Sequence, residues 1–278
     1  MIDFISNISP IYICDIGASP IDKTSFIDDL FNNSNSKIIG FEPNTEEFNK
    51  LEKRNPKKNY YNYAIGDGSE KILNICRGAG MTSFLEPNIN YLKNFSWFDT
   101  NSEIIKKEKV KTEKLDSLKE KIDFLKIDVQ GYESEIIKYG ENKIKNSLVV
   151  QIETSPIPLY KNEKTFSEVI GSIEKLGFSL HMFNKVNTKP FKPMKLNNNV
   201  FIGINHLFQL DCVMIRNLDD ICKFNKEDLT KMILIMFYSF KSYDLVDYLI
   251  NIMDKKFNTN YIEKYRSISS SFKISKRY

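Results

Sequence analysis

Four acidic residues each follow an apolar run short enough to be a strand. Asp15 follows Ile11-Tyr12-Ile13-Cys14, and Glu42 follows Lys37-Ile38-Ile39-Gly40-Phe41. Asp128 follows Phe124-Leu125-Lys126-Ile127, and Glu153 ends Leu148-Val149-Val150-Gln151-Ile152. Helical spacing follows each run: Thr24 to Phe31, Asn44 or Thr45 through Lys53, Glu133 to Lys145, and Phe166 to Leu176, stopped by Gly177. Alternating strands and helices imply parallel βαβ units and a doubly wound sheet. Such sheets bind ligands outside the carboxyl ends of their strands. One acid at a strand end is unremarkable; four at equivalent ends predict a shared acidic rim.

The other elements complete one large α/β unit. Tyr60 to Ile65 reads as a third strand, followed by the turn Gly66-Asp67-Gly68. Lys71 to Cys76, Lys109 to Thr112, Phe178 to Phe183 and Cys212 to Arg216 read as further strands. Glu86 to Lys107, polar with scattered aromatics, reads as an inserted loop or lid, and Lys185 to Asn199 as a loop. From Leu218 the pattern becomes purely helical, with Leu229, Met232, Ile233, Met236, Phe237 and Phe240 on one stripe and Leu245, Leu249, Ile252 and Met253 on another. The expected division is a catalytic-type domain over 1–216 and a C-terminal helical appendage over 217–278. An apolar stripe of that size must be buried, so the appendage is expected to cap the fold, dimerise or dock a partner enzyme.

Composition narrows the partners. Lys and Arg number 40 against 36 Asp and Glu, a net charge of +4, which is too small to argue for a nucleic-acid binder. The start, Met1-Ile2-Asp3-Phe4, shows no secretory signal pattern. The most apolar window, Met232 to Phe240, is far short of the ~20 residues that span a bilayer. The cysteines, Cys14, Cys76, Cys212 and Cys222, have no metal-binding spacing. A reduced, cytoplasmic protein is expected.

Three runs carry the chemistry. In Asp15-Ile16-Gly17-Ala18-Ser19 a strand enters a glycine turn that lets backbone approach a ligand. In Phe41-Glu42-Pro43 the carboxylate offers two acceptor oxygens, as a ribose diol requires. Lys126-Ile127-Asp128-Val129-Gln130-Gly131-Tyr132-Glu133 places an acid, a glycine turn and a second acid at a helix start. These runs, in this order and spacing, resemble the FkbM family of S-adenosylmethionine-dependent methyltransferases. The likeness covers roughly residues 10 to 216 and includes Leu115-Asp116, Glu153 and Asp211 to Arg216.

The resemblance implies a class I methyltransferase (Rossmann-like) fold: a mostly parallel, doubly wound seven-stranded sheet whose last strand is antiparallel. It implies an O-methyltransferase that uses S-adenosylmethionine on a hydroxyl of a sugar, glycan or related natural product. By position, Asp15, Gly17, Ala18 and Ser19 would line the methionine end of the cofactor, and Glu42 would hold the ribose. Ala64, Ile65 and Asp67 would edge the adenine, and Asp128 would sit beside the sulfonium. This chain departs from the family pattern at Gln130, where Glu is usual, and at Ser19-Pro20, where Asn and a further Gly are usual.

An alcohol acceptor needs a base. Asp128 is the first candidate, with Glu153 and Glu133 as helpers; His181 and His206 are the chemical alternatives. Asp128 and Glu153 could instead share a Mg²⁺ that acidifies a hydroxyl. Thr82-Ser83, after Gly78-Ala79-Gly80, could form a polar loop over cofactor or acceptor, and Tyr91, Phe95, Trp97 and Phe98 could stack on a sugar or anchor the insert. Two other functions compete: a non-catalytic adenosyl-binding module, and an NAD-dependent oxidoreductase. Gly17-Ala-Ser-Pro-Ile-Asp22 lacks the GxGxxG spacing of the second.

Overall fold

The computed structural model describes residues 8–19, 25–54, 56–269 and 272. Pro20 lies outside them. Ten strands occur in these segments: β1 (Ile11–Ile16), β2 (Ser36–Phe41), β3 (Asn59–Tyr61), β4 (Ala64–Ile65), β5 (Glu70–Cys76), β6 (Ile104–Glu113), β7 (Phe124–Ile127), β8 (Val149–Thr154), β9 (Phe178–Thr188) and β10 (Leu207–Arg216). Seven form one sheet in the order β3-β2-β1-β7-β8-β10-β9. Neighbours are parallel except around β10, which runs antiparallel to both β8 and β9. This is the class I methyltransferase arrangement. Helices cover both faces of the sheet, which is why β1, β7 and β8 are nearly continuous apolar runs.

Strand order reverses between β1 and β7, and register there decides the site. Asp15 of β1 lies beside Gly40 of β2 on one side and Lys126 of β7 on the other. Lys126 in turn lies beside Gln151 of β8. Asp15, Glu42, Asp128 and Glu153 therefore reach one edge of the sheet together.

One face of the sheet is packed by the helices Glu133–Lys138, Glu141–Lys145 and Phe166–Glu174, through Ile136, Ile144, Val169 and Ile173. The other face is packed by the helix Ser25–Asn33 and by the C-terminal helices Lys226–Tyr238, Tyr243–Phe257 and Ile262–Ser269. Met232, Ile233, Met236, Leu249 and Met253 share a core with Ile11, Ile13, Phe124, Val149 and Val213. The stripes that needed a cover are buried by the chain itself. Every residue from Leu229 to Tyr238 is buried, as befits a helix enclosed on all sides. The core thus runs across position 216, although the element type changes there. Within it, Lys231 pairs with Asp123 at 3.0 Å.

Four segments differ from the pattern read in the sequence. β9 runs on through Lys185 to Thr188, the start of a segment that reads as a loop. The third strand splits: β3 stops at Tyr61, and β4 pairs with β6 in a separate three-stranded sheet. The Asn62 side-chain amide donates to the carbonyls of Glu42 and Pro43, turning the chain around the end of β2. The single helix expected over Glu133 to Lys145 is two helices broken at Tyr139-Gly140. Asp116 caps the second, accepting from the backbone N–H of Asn142 at 3.3 Å and of Lys143 at 2.8 Å. The insert is partly regular: its last residues belong to β6, antiparallel to β5, and two short helices, Ile89–Leu92 and Phe98–Asn101, precede them. Among the described residues no helix is long and apolar enough to cross a membrane.

Candidate active site

A cleft of about 210 Å³ lies over the carboxyl ends of β1, β2, β7 and β8. Its floor begins where β1 turns at Gly17. That residue has φ +80°, and a Cβ on it would fall 1.8 Å from the carbonyl oxygen of Asp128. Only glycine lets the two loops close to this distance. The N–H groups of Gly17 and Ala18 both donate to the Phe41 carbonyl, at 3.1 and 3.0 Å. The β1 loop is thereby fixed against the end of β2. Gly17 and Ser19 line the cleft, while Ala18 is buried beneath it.

Glu42 lines the cleft from the end of β2. Its Oε1 accepts from the Asn44 N–H at 2.7 Å. Burial pushes its carboxyl up to about 8, against that hydrogen bond and with help from the negative charge of Glu47. Ala64 and Ile65 line the same end, with Leu73 and Phe84. Asp67 is not among the lining residues. It is held in its turn by Lys71 at 2.6 Å and by the Ser69 N–H at 2.9 Å, so it caps the loop behind the site.

Asp15 is buried under the cleft rather than lining it. Its Oδ1 is 3.2 Å from Lys126 Nζ, and the same ammonium is 3.3 Å from Asp128 Oδ2. Lys126 also donates to the Gly17 carbonyl at 3.4 Å. It is one of the most deeply buried charges in the protein, and it joins the ends of β1 and β7. A lysine in the otherwise apolar run Phe124-Leu125-Lys126-Ile127 was the readable signal, since a buried charge must be paired.

Asp128 and Glu153 both line the cleft. The side-chain amide of Gln130 lies between them, donating to Asp128 Oδ1 at 2.9 Å and to Glu153 Oε2 at 2.7 Å. Gln209 of β10 also donates to Glu153 Oε2, at 3.0 Å. An amide therefore stands between the two carboxylates that could have shared a Mg²⁺. Among the described residues no group of three or more His, Cys, Asp or Glu is placed to hold a metal ion.

Glu133 does not line the cleft. Its Oε1 accepts from the N–H groups of Val129 and Gly131, each at 3.1 Å, so it shapes the loop that carries Gln130. Burial pushes its carboxyl up to about 8, opposed by those hydrogen bonds. Glu163 does the same for the next loop: Oε2 accepts from Leu159 and Tyr160 N–H. Burial pushes Glu163 up to about 7, again against backbone hydrogen bonds. Asp211, half-buried and opposite Glu153 in register, is pushed up to about 6, first by burial and then by the charge of Asp128.

The histidines lie elsewhere. His181 Nε2 is 2.7 Å from Ser242 Oγ, and His206 Nε2 is 2.6 Å from the Tyr91 hydroxyl; neither lines the cleft. The insert aromatics anchor it to the protein: Phe95 stacks on His206 and packs edge-on to Phe208, and Phe98 contacts Phe208. Ala79, Gly80, Thr82 and Ser83 line the cleft. Gln209, Lys185 and Asn187 line the side of the cleft formed by β9 and β10. Sequence pattern gave no sign of these last three: Lys185 and Asn187 fall in a segment that reads as a loop and Gln209 ahead of the strand that reads from Cys212, whereas β9 and β10 run through all three.

A profile described as the methyltransferase FkbM domain matches residues 15–180. No curated protein sequence matches the chain. Among solved structures, a TehB-like SAM-dependent methyltransferase from Corynebacterium glutamicum is similar, at 11% identity and a TM-score of 0.37, over 78% of this chain and 85% of that one. A methyltransferase FkbM from Methylobacillus flagellatus is similar at 10% identity and a TM-score of 0.40, over 74% of this chain. This chain spans only 43% of that protein. The plantazolicin methyltransferase BpumL, solved with a desmethyl-plantazolicin analogue and SAH, is similar at 15% identity and a TM-score of 0.36, over 78% of this chain and 80% of that one.

Proposed function

Because the chain belongs to the FkbM methyltransferase family, we propose that it transfers the methyl group of S-adenosylmethionine to a hydroxyl oxygen of a sugar, glycan or related natural product. The donor set suits that cofactor. Once it gives up the proton that burial lets it keep up to about pH 8, Glu42 offers a ribose diol two acceptor oxygens, and Gly17 and Ser19 bring backbone to the methionine end. Ala64, Ile65 and Phe84 give the adenine an apolar edge, and Asp128 supplies negative charge near the reacting centre. When bound, the cofactor provides the electrophilic methyl group. The chain's own contribution is position, electrostatics and a place for the acceptor's proton.

The single observation that carries this reading is the pair Asp128 and Glu153, lining one cleft with Glu42. Asp128 is already shared between Lys126 and Gln130, so it has less capacity left to take a proton. The neutral amides of Gln130 and Gln209 approach Glu153. Glu153 is thus the base, and Asp128 is the carboxylate that faces the cofactor. The polar side chains of Lys185, Asn187 and Gln209 suit a hydroxyl-rich acceptor.

The test uses tritium-methyl S-adenosylmethionine with a panel of methyl glycosides and nucleotide sugars. Transfer to oxygen is expected, and Glu153→Gln should lower it by about 10²-fold or more, with affinity for S-adenosylhomocysteine held within about threefold. Methyl groups recovered on nitrogen, or a Glu153→Gln enzyme as active as the parent, would contradict the assignment.

A further inference from the structure

The polar contacts of the site converge on Gln130. Its backbone has φ +55°, a left-handed conformation that a residue with a side chain keeps only where its surroundings hold it there. The Ser83 hydroxyl donates to its carbonyl at 2.7 Å. The Tyr160 hydroxyl donates to its Oε1 at 3.1 Å. Nε2 donates to Asp128 and Glu153. These partners come from four places: the loop after β5, the loop after β8, and the ends of β7 and β8.

The two carboxylates and Tyr160 fix the direction of the amide. The tyrosine ring is buried against Gly131, where a Cβ would lie 2.9 Å from the ring. Its hydroxyl is a donor at ordinary pH, because burial raises its pKa well above that of a free phenol. Ionised carboxylates only accept, so both amide N–H groups turn to Asp128 and Glu153 and the oxygen is left toward the Tyr160 hydroxyl, which also lies 3.6 Å from Met81 Sδ. An amide can give one proton to each of two acids without adding charge. A glutamate in the same place would put a third carboxylate between them, with Asp211 also close. The cations facing this group are Lys126 from β7, shared with Asp15, and Lys185 from β9.

We propose that Gln130 is a positioning residue that ties Asp128 and Glu153 into one acidic unit facing the cleft, and that this unit distinguishes a sulfonium cofactor from its neutral thioether product. The inference rests on the S-adenosylmethionine reading given above. Without the amide, two adjacent carboxylates repel and turn apart, Asp128 toward Lys126 and Glu153 toward Gln209. The cleft then loses negative charge where the sulfonium would lie. S-adenosylhomocysteine carries no such charge, so its binding depends little on the unit.

The test is calorimetric titration of the full-length protein, as wild type, Gln130→Leu and Tyr160→Phe, with S-adenosylmethionine and separately with S-adenosylhomocysteine. Gln130→Leu should weaken S-adenosylmethionine about tenfold or more, the scale of hydrogen bonds to charged groups, and S-adenosylhomocysteine less than about threefold. Tyr160→Phe, which removes one hydroxyl and leaves the loop sequence intact, should shift the same ratio in the same direction by a smaller factor. It carries the test if Gln130→Leu does not fold. Equal weakening of both ligands would make Gln130 merely structural and overturn the proposal, as would an unchanged ratio. Wild-type protein that binds neither ligand would overturn the cofactor reading itself, and this inference with it.

Discussion

Lys231→Met removes the positive member of an ion pair sealed inside the protein. Lys231 Nζ lies 3.0 Å from Asp123 Oδ2, and the two side chains are 1% and 0% exposed. Asp123 Oδ2 also accepts from the Tyr12 N–H at 2.9 Å, which ties the C-terminal helices to β1, the strand that ends at Gly17. Removing one partner of a buried pair costs ~3–5 kcal/mol, because the other is left charged and desolvated. Here Asp123 keeps Tyr12 N–H and the half-exposed Lys121, 3.2 Å from its Oδ1. The expected loss is therefore at the low end, ~3 kcal/mol. For a chain of this size that lowers Tm by roughly 6–12 °C. The double variant Asp123→Asn/Lys231→Met removes both charges, keeps a side-chain oxygen for the Tyr12 N–H, and should recover much of the loss, since neutral replacements of buried pairs are often near neutral. Urea unfolding measures both, as a shift of midpoint at constant slope. A single-variant loss below ~1 kcal/mol, or a double variant no more stable than the single, would refute the reasoning.

Deleting residues 218–278 should leave no soluble, folded remainder, because Ile11, Ile13, Phe124 and Val149 lose the helices that share their core. A soluble truncated monomer with unchanged adenosyl-ligand affinity would contradict this. Stability of the ligand-free protein should fall as pH rises from about 5 to 8.5. Glu42, Glu133 and Glu163 are pushed up to about 8, 8 and 7 by burial, so across that window the folded state holds protons that the unfolded chain has released. Glu133→Gln keeps an oxygen for the Val129 and Gly131 N–H groups and removes one titration. Its Tm should decline less steeply with pH, and a decline as steep as the parent's would count against the mechanism.

The rim of the site was legible because it rests on local rules. An acid after a buried strand, and a glycine where the chain must turn, are both written in short segments. Asp15-Ile16-Gly17, Glu42 and Asp128 therefore came together as the alternation implied. What was not legible depends on contacts distant in sequence. Gln130 looked like a departure from a family pattern, and its role emerges only when Tyr160, Glu153 and Ser83 are placed around it. Glu133 and Asp67 have the residue type of a catalytic or binding acid, but their hydrogen bonds turn inward, to Val129 and Gly131 and to Ser69. The C-terminal stripe was correctly read as something that must be buried. Its cover is the second face of the sheet, where β1, β7, β8 and β10 pack against the helix Ser25–Asn33 and the C-terminal helices. The third strand splits where the Asn62 amide bonds across the end of β2 and β4 pairs with β6, long-range contacts that periodicity does not report.

Titration calorimetry with S-adenosylhomocysteine, on the wild-type protein and Glu42→Ala, with NAD as the control ligand, tests the central claim most directly. At pH 9, where Glu42 is ionised, the account predicts micromolar binding of the adenosyl ligand, a loss of tenfold or more in Glu42→Ala, the scale of hydrogen bonds to a charged group, and no binding of NAD. Absence of adenosyl binding, or a Glu42→Ala protein that binds as the parent does, would contradict it.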